Sequence, residues 1–139
     1  MASNVATARS KARKRALDLL FAAEARGMSA GDLLDQQIGE GQVPNNPFTV
    51  KLVRGVVADA ERIDALISQF AKDWSLARMP AVDRNVLRVG VWELLDGDVV
   101  AEVAISEATA LVTELSTDDS PSFVNGVLSA VAKDLAAKG

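Results

Sequence analysis

The sequence predicts an all-α protein, a compact bundle of about six or seven helices, with two sub-bundles sharing one core as the variant arrangement. Three observations carry this. Apolar residues recur at helical spacing from end to end, and no run of period-two alternation interrupts them. Helix-starting and helix-stopping residues punctuate the chain at short intervals. Residues of the AVILMFWYC set make up 49% of the 139 positions while aromatics make up only 4%, so the core must be aliphatic. A chain of this length is expected to form one domain, 1–139, with residues 1–8 flexible.

The first helix is expected from about Thr7 to Arg26, with Leu17, Leu20 and Phe21 among alanines and Gly27 as its stop. Ser29-Ala-Gly-Asp32 has the form of a capping box and opens a short helix to about Ile38. Residues 39–46 (GEGQVPNN) form the clearest loop. Asn46-Pro47 then serves as N-cap and first helical position of a long helix reaching about Lys72. A short extra turn falls near Trp74–Arg78. Further helices cover about Ala81–Leu95, Val103–Leu115 and, behind a Ser120 cap, Pro121–Lys138.

Composition removes several functions. The chain has no Cys, hence no disulfide and no thiolate metal site, and no His, the commonest general base and metal ligand. Neither a cofactor loop nor zinc spacing nor a nucleophile elbow is present, so no enzyme activity, metal or cofactor is expected. No stretch approaches the roughly 20 apolar residues of a membrane span. The Arg- and Ala-rich opening has transit-peptide composition, but its apolar stripe runs on into a helix the domain needs, and no signal-peptide apolar region is present. The expected location is the cytoplasm.

The net charge of −4 is unevenly spread. Residues 1–26 carry six bases against two acids, a net +4, and the rest nine bases against seventeen acids, a net −8. A basic pole on an acidic body favours a local polyanion footprint. The pole is Ala8-Arg-Ser-Lys-Ala-Arg-Lys-Arg15. Arg9 and Arg13 fall on one helical line, Lys11 and Arg15 on another, with Lys14 between. The first helix is therefore expected to project beyond the core for two turns, presenting cations on several sides. Guanidinium groups bind phosphate and stack on bases, which suits single-stranded RNA; the plain alternative is a solvated helix start.

Two further motifs stand out. In Asp118-Asp-Ser-Pro-Ser-Phe-Val-Asn-Gly126 the helix start can receive an anion, and Phe123 lies outside the apolar stripe, as a stacking platform or as an ordinary part-buried ring. Asp118 and Asp119 are more simply dipole partners than catalytic carboxylates. In Asp83-Arg-Asn-Val-Leu-Arg-Val-Gly-Val-Trp-Glu93, the row Arg84, Arg88, Trp92 lies off the core stripe. Arg and Trp are enriched at interface hot spots, so the row suits a protein partner; a Trp half-buried under an Arg is the alternative.

In this order, the basic start into Ala16-Leu-Asp-Leu-Leu-Phe-Ala-Ala-Glu24, the 83–95 helix, Val103-Ala-Ile-Ser-Glu-Ala108 and Phe123-Val-Asn-Gly-Val-Leu128 resemble the NusB family of bacterial transcription antitermination factors. The resemblance covers essentially the whole chain. It implies an all-helical protein that binds boxA RNA with a small-subunit ribosomal protein, NusE, and so joins an elongating RNA polymerase complex. Carried over by position, it assigns RNA contact to Arg9, Lys11 and Arg13; Ser10 breaks the arginine run, and Lys14 and Arg15 add charge elsewhere, which shifts the expected footprint. It also assigns Phe21, standing where many members have Tyr, and Asp119, Ser120, Phe123 and Asn125. Asp83, Arg84, Arg88 and Trp92 are assigned to a protein-partner face. Some family members are domains fused ahead of an RNA methyltransferase, and the end at Gly139 leads us to expect the free factor. Two rival functions follow from the residues: a non-catalytic interaction module that dimerises through the Trp92 row, and a carboxylate hydrolase.

Overall fold

A computed structural model describes the backbone of residues 2–139 and the side chains of residues 8–139. The flexibility expected for residues 1–8 falls almost wholly on side chains outside the described ones. Helix α1 (Ala2–Arg26) begins earlier than Thr7 and ends as expected. Gly27 takes φ +66°, a left-handed conformation that places the Met28 N–H on the Ala23 carbonyl at 3.0 Å and satisfies the helix end. Helix α2 (Ala30–Gly39) is capped by Ser29, whose hydroxyl accepts from the Gly31 N–H at 3.2 Å.

The long helix expected from Pro47 to Lys72 is two helices, α3 (Pro47–Ala58) and α4 (Ala60–Phe70). The apolar spacing Phe48, Leu52, Val56, Ile63, Ile67 runs across the break in phase, so periodicity alone does not reveal it. Asp59 marks the boundary: its carbonyl accepts from the Ile63 N–H at 2.9 Å, opening a second helix. Asn46 caps α3 as expected, its side-chain oxygen accepting from the Phe48 N–H at 2.9 Å. After a 3₁₀ turn at Leu76–Arg78 come α5 (Ala81–Asp96), α6 (Ala101–Leu115) and α7 (Ser120–Lys138). Among the described residues there is no strand.

The chain divides into two compact units, the first ending at Ala58 and the second running from Asp59 to Gly139. In the first, α1, α2 and α3 pack on one another around Ala16, Leu19, Leu20, Leu33, Leu34, Leu52 and Val53, all buried. The second packs α5 against α4, α6 and α7 around Ile63, Ile67, Val86, Leu87, Val112, Val124 and Leu128. Gly90 lets α5 and α7 approach: a Cβ there would stand 2.8 Å from a Leu128 methyl. No helix among the described residues is long and apolar enough to cross a membrane.

Candidate nucleic-acid interface

In the first unit, the basic segment does not project from the core. Ala12, Arg13 and Ala16 are buried where α1 lies on α3. The Thr49 hydroxyl donates to the Ala12 carbonyl at 3.0 Å, and the Asn46 amide donates to the Ala8 carbonyl at 3.3 Å. This packing sorts the cations by helical face. Arg13 is only 2% exposed and its guanidinium lies 5.2 Å from the centre of the Phe48 ring. It is therefore a structural cation, out of reach of a phosphate, and its assignment to RNA contact is corrected. Arg9, half-exposed, lies 4.6 Å above the same ring.

What remains outside is an orderly stripe. Lys11, Lys14, Asp18 and Phe21 are exposed and follow one another at helical spacing, 3, 4 and 3 residues apart. It spans about 15 Å along the axis at a rise of about 1.5 Å per residue. Phe21, 44% exposed, thus shares the outer face of the lysines. Arg15 lies at the edge of this face, its guanidinium donating to the Gln37 side chain on α2 at 2.9 Å. Lys11 and Arg15 form one wall of a groove of about 530 Å³ whose other wall is the loop Gln42–Pro47. A second groove on the other side of Asn46 brings Arg9 together with Lys51. Lys51 was not singled out by sequence. It stands one turn after Pro47 on the exposed side of α3, and only the packing of α3 on α1 adds it to the basic pole.

In the second unit, the segment before α7 is built on a buried carboxylate. Asp83 is 1% exposed; the Ser116 hydroxyl donates to one of its oxygens at 2.6 Å and the Ser120 hydroxyl to the other at 2.8 Å. Ser120 is itself buried and is the first helical residue of α7 rather than its cap. Its hydroxyl holds the turn and does not face solvent, which corrects its placement as an RNA contact. Asp119 and Asn125 are exposed, and Phe123 is half-buried. The Phe123 ring lies 5.4 Å from that of Trp74, tilted by 54°. Trp74, at 41% exposure, is marked by the sequence only as the start of a short turn; an aromatic in a loop between helices gives no periodic signal of a site.

Of the four residues expected on a partner face, two are buried and the two arginines, partly exposed, are engaged within the second unit. Asp83 and Trp92 are buried. Arg84 donates to the carbonyls of Leu76 and Met79 at 2.8 and 3.0 Å. Arg88 makes a two-point ion pair with Asp64 on α4, at 2.9 and 3.1 Å. Asp83, Arg84 and Arg88 thus bond within the second unit, and Trp92 is packed in it, the internal alternative to a partner face. Among the described residues, no cluster of carboxylates is placed to hold a metal ion.

Comparison with known proteins agrees across the chain. The profile described as the NusB family matches residues 10–133. The transcription antitermination protein NusB of Nocardioides sp. is 60% identical over 129 residues, 92% of this chain and 96% of that protein. Its counterpart in Saccharopolyspora erythraea is 56% identical over 128 residues, 90% of this chain and 86% of that protein. Among solved structures, T. maritima NusB superposes with a TM-score of 0.79 at 34% identity, covering 91% of each chain. A chain in the crystal structure of antitermination factors NusB and NusE in complex with dsRNA gives 0.78 at 31%, covering 92% of this chain and 98% of that one.

Proposed function

The chain belongs to the NusB family, and on that premise we propose that it binds boxA-like single-stranded RNA together with a ribosomal protein of the NusE kind. It is a transcription antitermination factor and not an enzyme. In this proposal it works in the cytoplasm, and the RNA–protein assembly tethers it to the elongating RNA polymerase complex. The observation that carries the RNA assignment is the outer face of α1. Lys11, Lys14 and Phe21 stand exposed in one row, with Arg15 and Arg9 beside grooves at its basic end, on a chain whose net charge is −4. Cations concentrated on one face of an acidic protein bind a phosphate backbone locally, and affinity then falls with salt as counterions are released.

The relative's complex contains dsRNA. The single strand proposed here rests on chemistry: rings that reach the surface, such as the exposed Phe21 and the half-buried Phe123, can stack only on bases that are free of a duplex. Phosphate contacts position a strand without reading it, so sequence preference falls to the aromatic and polar groups.

The test is a titration of a short boxA-like RNA at several salt concentrations, with and without the ribosomal protein. The double variant Lys11→Ala/Lys14→Ala runs alongside. Loss of two phosphate contacts on a single strand lowers the log–log salt slope by about 1.4. Absence of RNA binding by the folded wild type, partner present, would refute the assignment. An unchanged slope in the double variant would move the phosphate contacts off this face.

A further inference from the structure

The second unit contains a cleft that the basic pole does not explain. Its walls are the rings of Trp74 and Phe123, and it encloses about 180 Å³. Asp83 and Ser120, both buried, lie at its base, and Asp73 and Asp119, both exposed, at its rim. We propose that this cleft takes one unstacked nucleobase carrying an exocyclic amino group, and that Trp74 is thereby an RNA-contacting, specificity-determining residue. The inference rests on the RNA-binding function proposed above and adds a residue and a preference to it.

Four features lead there. The volume lies below the roughly 300–1,000 Å³ of drug-sized pockets, so it suits a single planar ring system. The two rings touch at a centroid distance of 5.4 Å and a tilt of 54°, so they form an apolar corner on which one base can stack, and not a slot between them. The rim is acidic. Carboxylates repel a phosphate but accept hydrogen bonds from N–H groups, so the ligand enters base first, with its backbone outside. Adenine, cytosine and guanine offer exocyclic amino donors to such a rim; uracil presents carbonyl oxygens on either side of its one N–H and meets the carboxylates with repulsion.

Fourth, both walls are held from adjacent residues of α5. Asp83 accepts the Ser120 hydroxyl and so fixes the start of α7, from which Phe123 projects. Arg84 donates to the carbonyls of Leu76 and Met79 and so fixes the turn that follows Trp74. Asp83 and Arg84, two of the four residues expected on a partner face, frame this cleft. A preformed cleft binds a base without the entropic cost of ordering its walls.

Trp74 provides the readout, because the other tryptophan, Trp92, is buried. The full-length protein is titrated at low salt, ribosomal partner present, with short single-stranded oligonucleotides of A, of C and of U, while tryptophan emission is followed. Emission should be quenched by the A and C strands more than by U, and Trp74→Phe should abolish the quench while binding within about three-fold of wild type. Trp74→Ala should bind the A or C strand about ten-fold or more weakly, within the range for one lost base–aromatic stack. Its salt slope should not change, since no phosphate contact is removed.

Emission unchanged on RNA binding overturns the inference. So does Trp74→Ala binding as wild type while Lys11→Ala/Lys14→Ala still weakens binding; the RNA function itself then stands. Tighter binding and stronger quenching by U overturn the amino-edge preference. If the wild type binds none of the strands, the RNA function fails and the cleft with it. Circular dichroism of each variant separates lost helix from lost contact, and Trp74→Phe keeps the emission test available if the alanine variant does not fold.

Discussion

The outer face of α1 and the cleft at the start of α7 both resemble nucleic-acid sites, and they are built in opposite ways. On α1 the charged groups are at the surface: Lys11 and Lys14 are exposed, and the ring behind the pole, Phe48, is buried under Arg9 and Arg13. At α7 the arrangement is reversed: the rings of Trp74 and Phe123 reach the surface, and the charge beneath them, Asp83, is buried. Exposed cations are sequence-blind and salt-sensitive; exposed rings with carboxylate acceptors are salt-insensitive and selective. The difference separates holding an RNA from reading it. It also says that in each region the buried charged residue is the scaffold of the site and not its contact.

The largest effect expected from that division is at Arg13. Replacing it with alanine removes a long side chain packed on Phe48 in a site that is 2% exposed, a loss comparable to truncating a large core residue. Arg13→Ala should lower unfolding free energy by about 2–4 kcal/mol, measured by denaturant titration. Lys11→Ala, two residues away, should leave stability within about 0.5 kcal/mol, as exposed substitutions do. Equal destabilisation by the two would break the distinction between scaffold and contact on α1.

Next is Asp83→Ala, which deprives the Ser116 and Ser120 hydroxyls of their buried acceptor. The expected cost is about 1–3 kcal/mol. The comparison is sharpened by what happens to RNA binding below the melting transition. Loosening the start of α7 should weaken binding of an A or C strand without altering its salt slope, the signature of the reading region. A changed slope would mean that Asp83 influences phosphate contacts, and the two regions would not be separate in function.

These contrasts follow faces that the sequence displays only in part. The all-helical class, the caps at Ser29 and Asn46, the stop at Gly27 and the apolar stripes of α5 and α7 are legible because each rests on local chemistry or on a period of 3.6 residues. The break at Asp59 is not, because the apolar spacing continues through it and neither Pro nor Gly marks it. The basic segment was legible as a cluster of charge, but the depth of each cation depends on where α3 crosses α1, a long-range fact. Hence the sequence does not separate Arg13 from its exposed neighbours and gives no sign that Lys51 joins the pole. The row Arg84, Arg88, Trp92 misled for a related reason. Residues suited to an intermolecular interface are equally suited to an internal one, and only the neighbouring α4 and the Leu76–Arg78 turn decide which. Trp74 had no pattern around it at all; its meaning lies entirely in the ring opposite.

The smallest effect concerns two glycines, one in α5 and one in α7. At Gly90 a methyl group would stand 2.8 Å from Leu128, so Gly90 is held by packing. At Gly126 a Cβ would meet nothing within 4 Å, and the residue is exposed in the middle of α7, one turn beyond Phe123. There a glycine only costs helix stability, because it leaves more freedom in the unfolded chain than alanine does. Gly126→Ala should therefore raise unfolding free energy by about 0.5–1 kcal/mol. For a chain of this size that corresponds to a rise in Tm of roughly 2–4 °C. Gly90→Ala should move in the opposite direction, since Leu128 must give way. If Gly126→Ala stabilises as stated and its RNA affinity is unchanged, the bare surface beyond Phe123 lies outside the cleft and the reading region ends at the two rings. If affinity falls while stability rises, that surface is itself approached closely by the RNA, and the region that reads extends a further turn along α7.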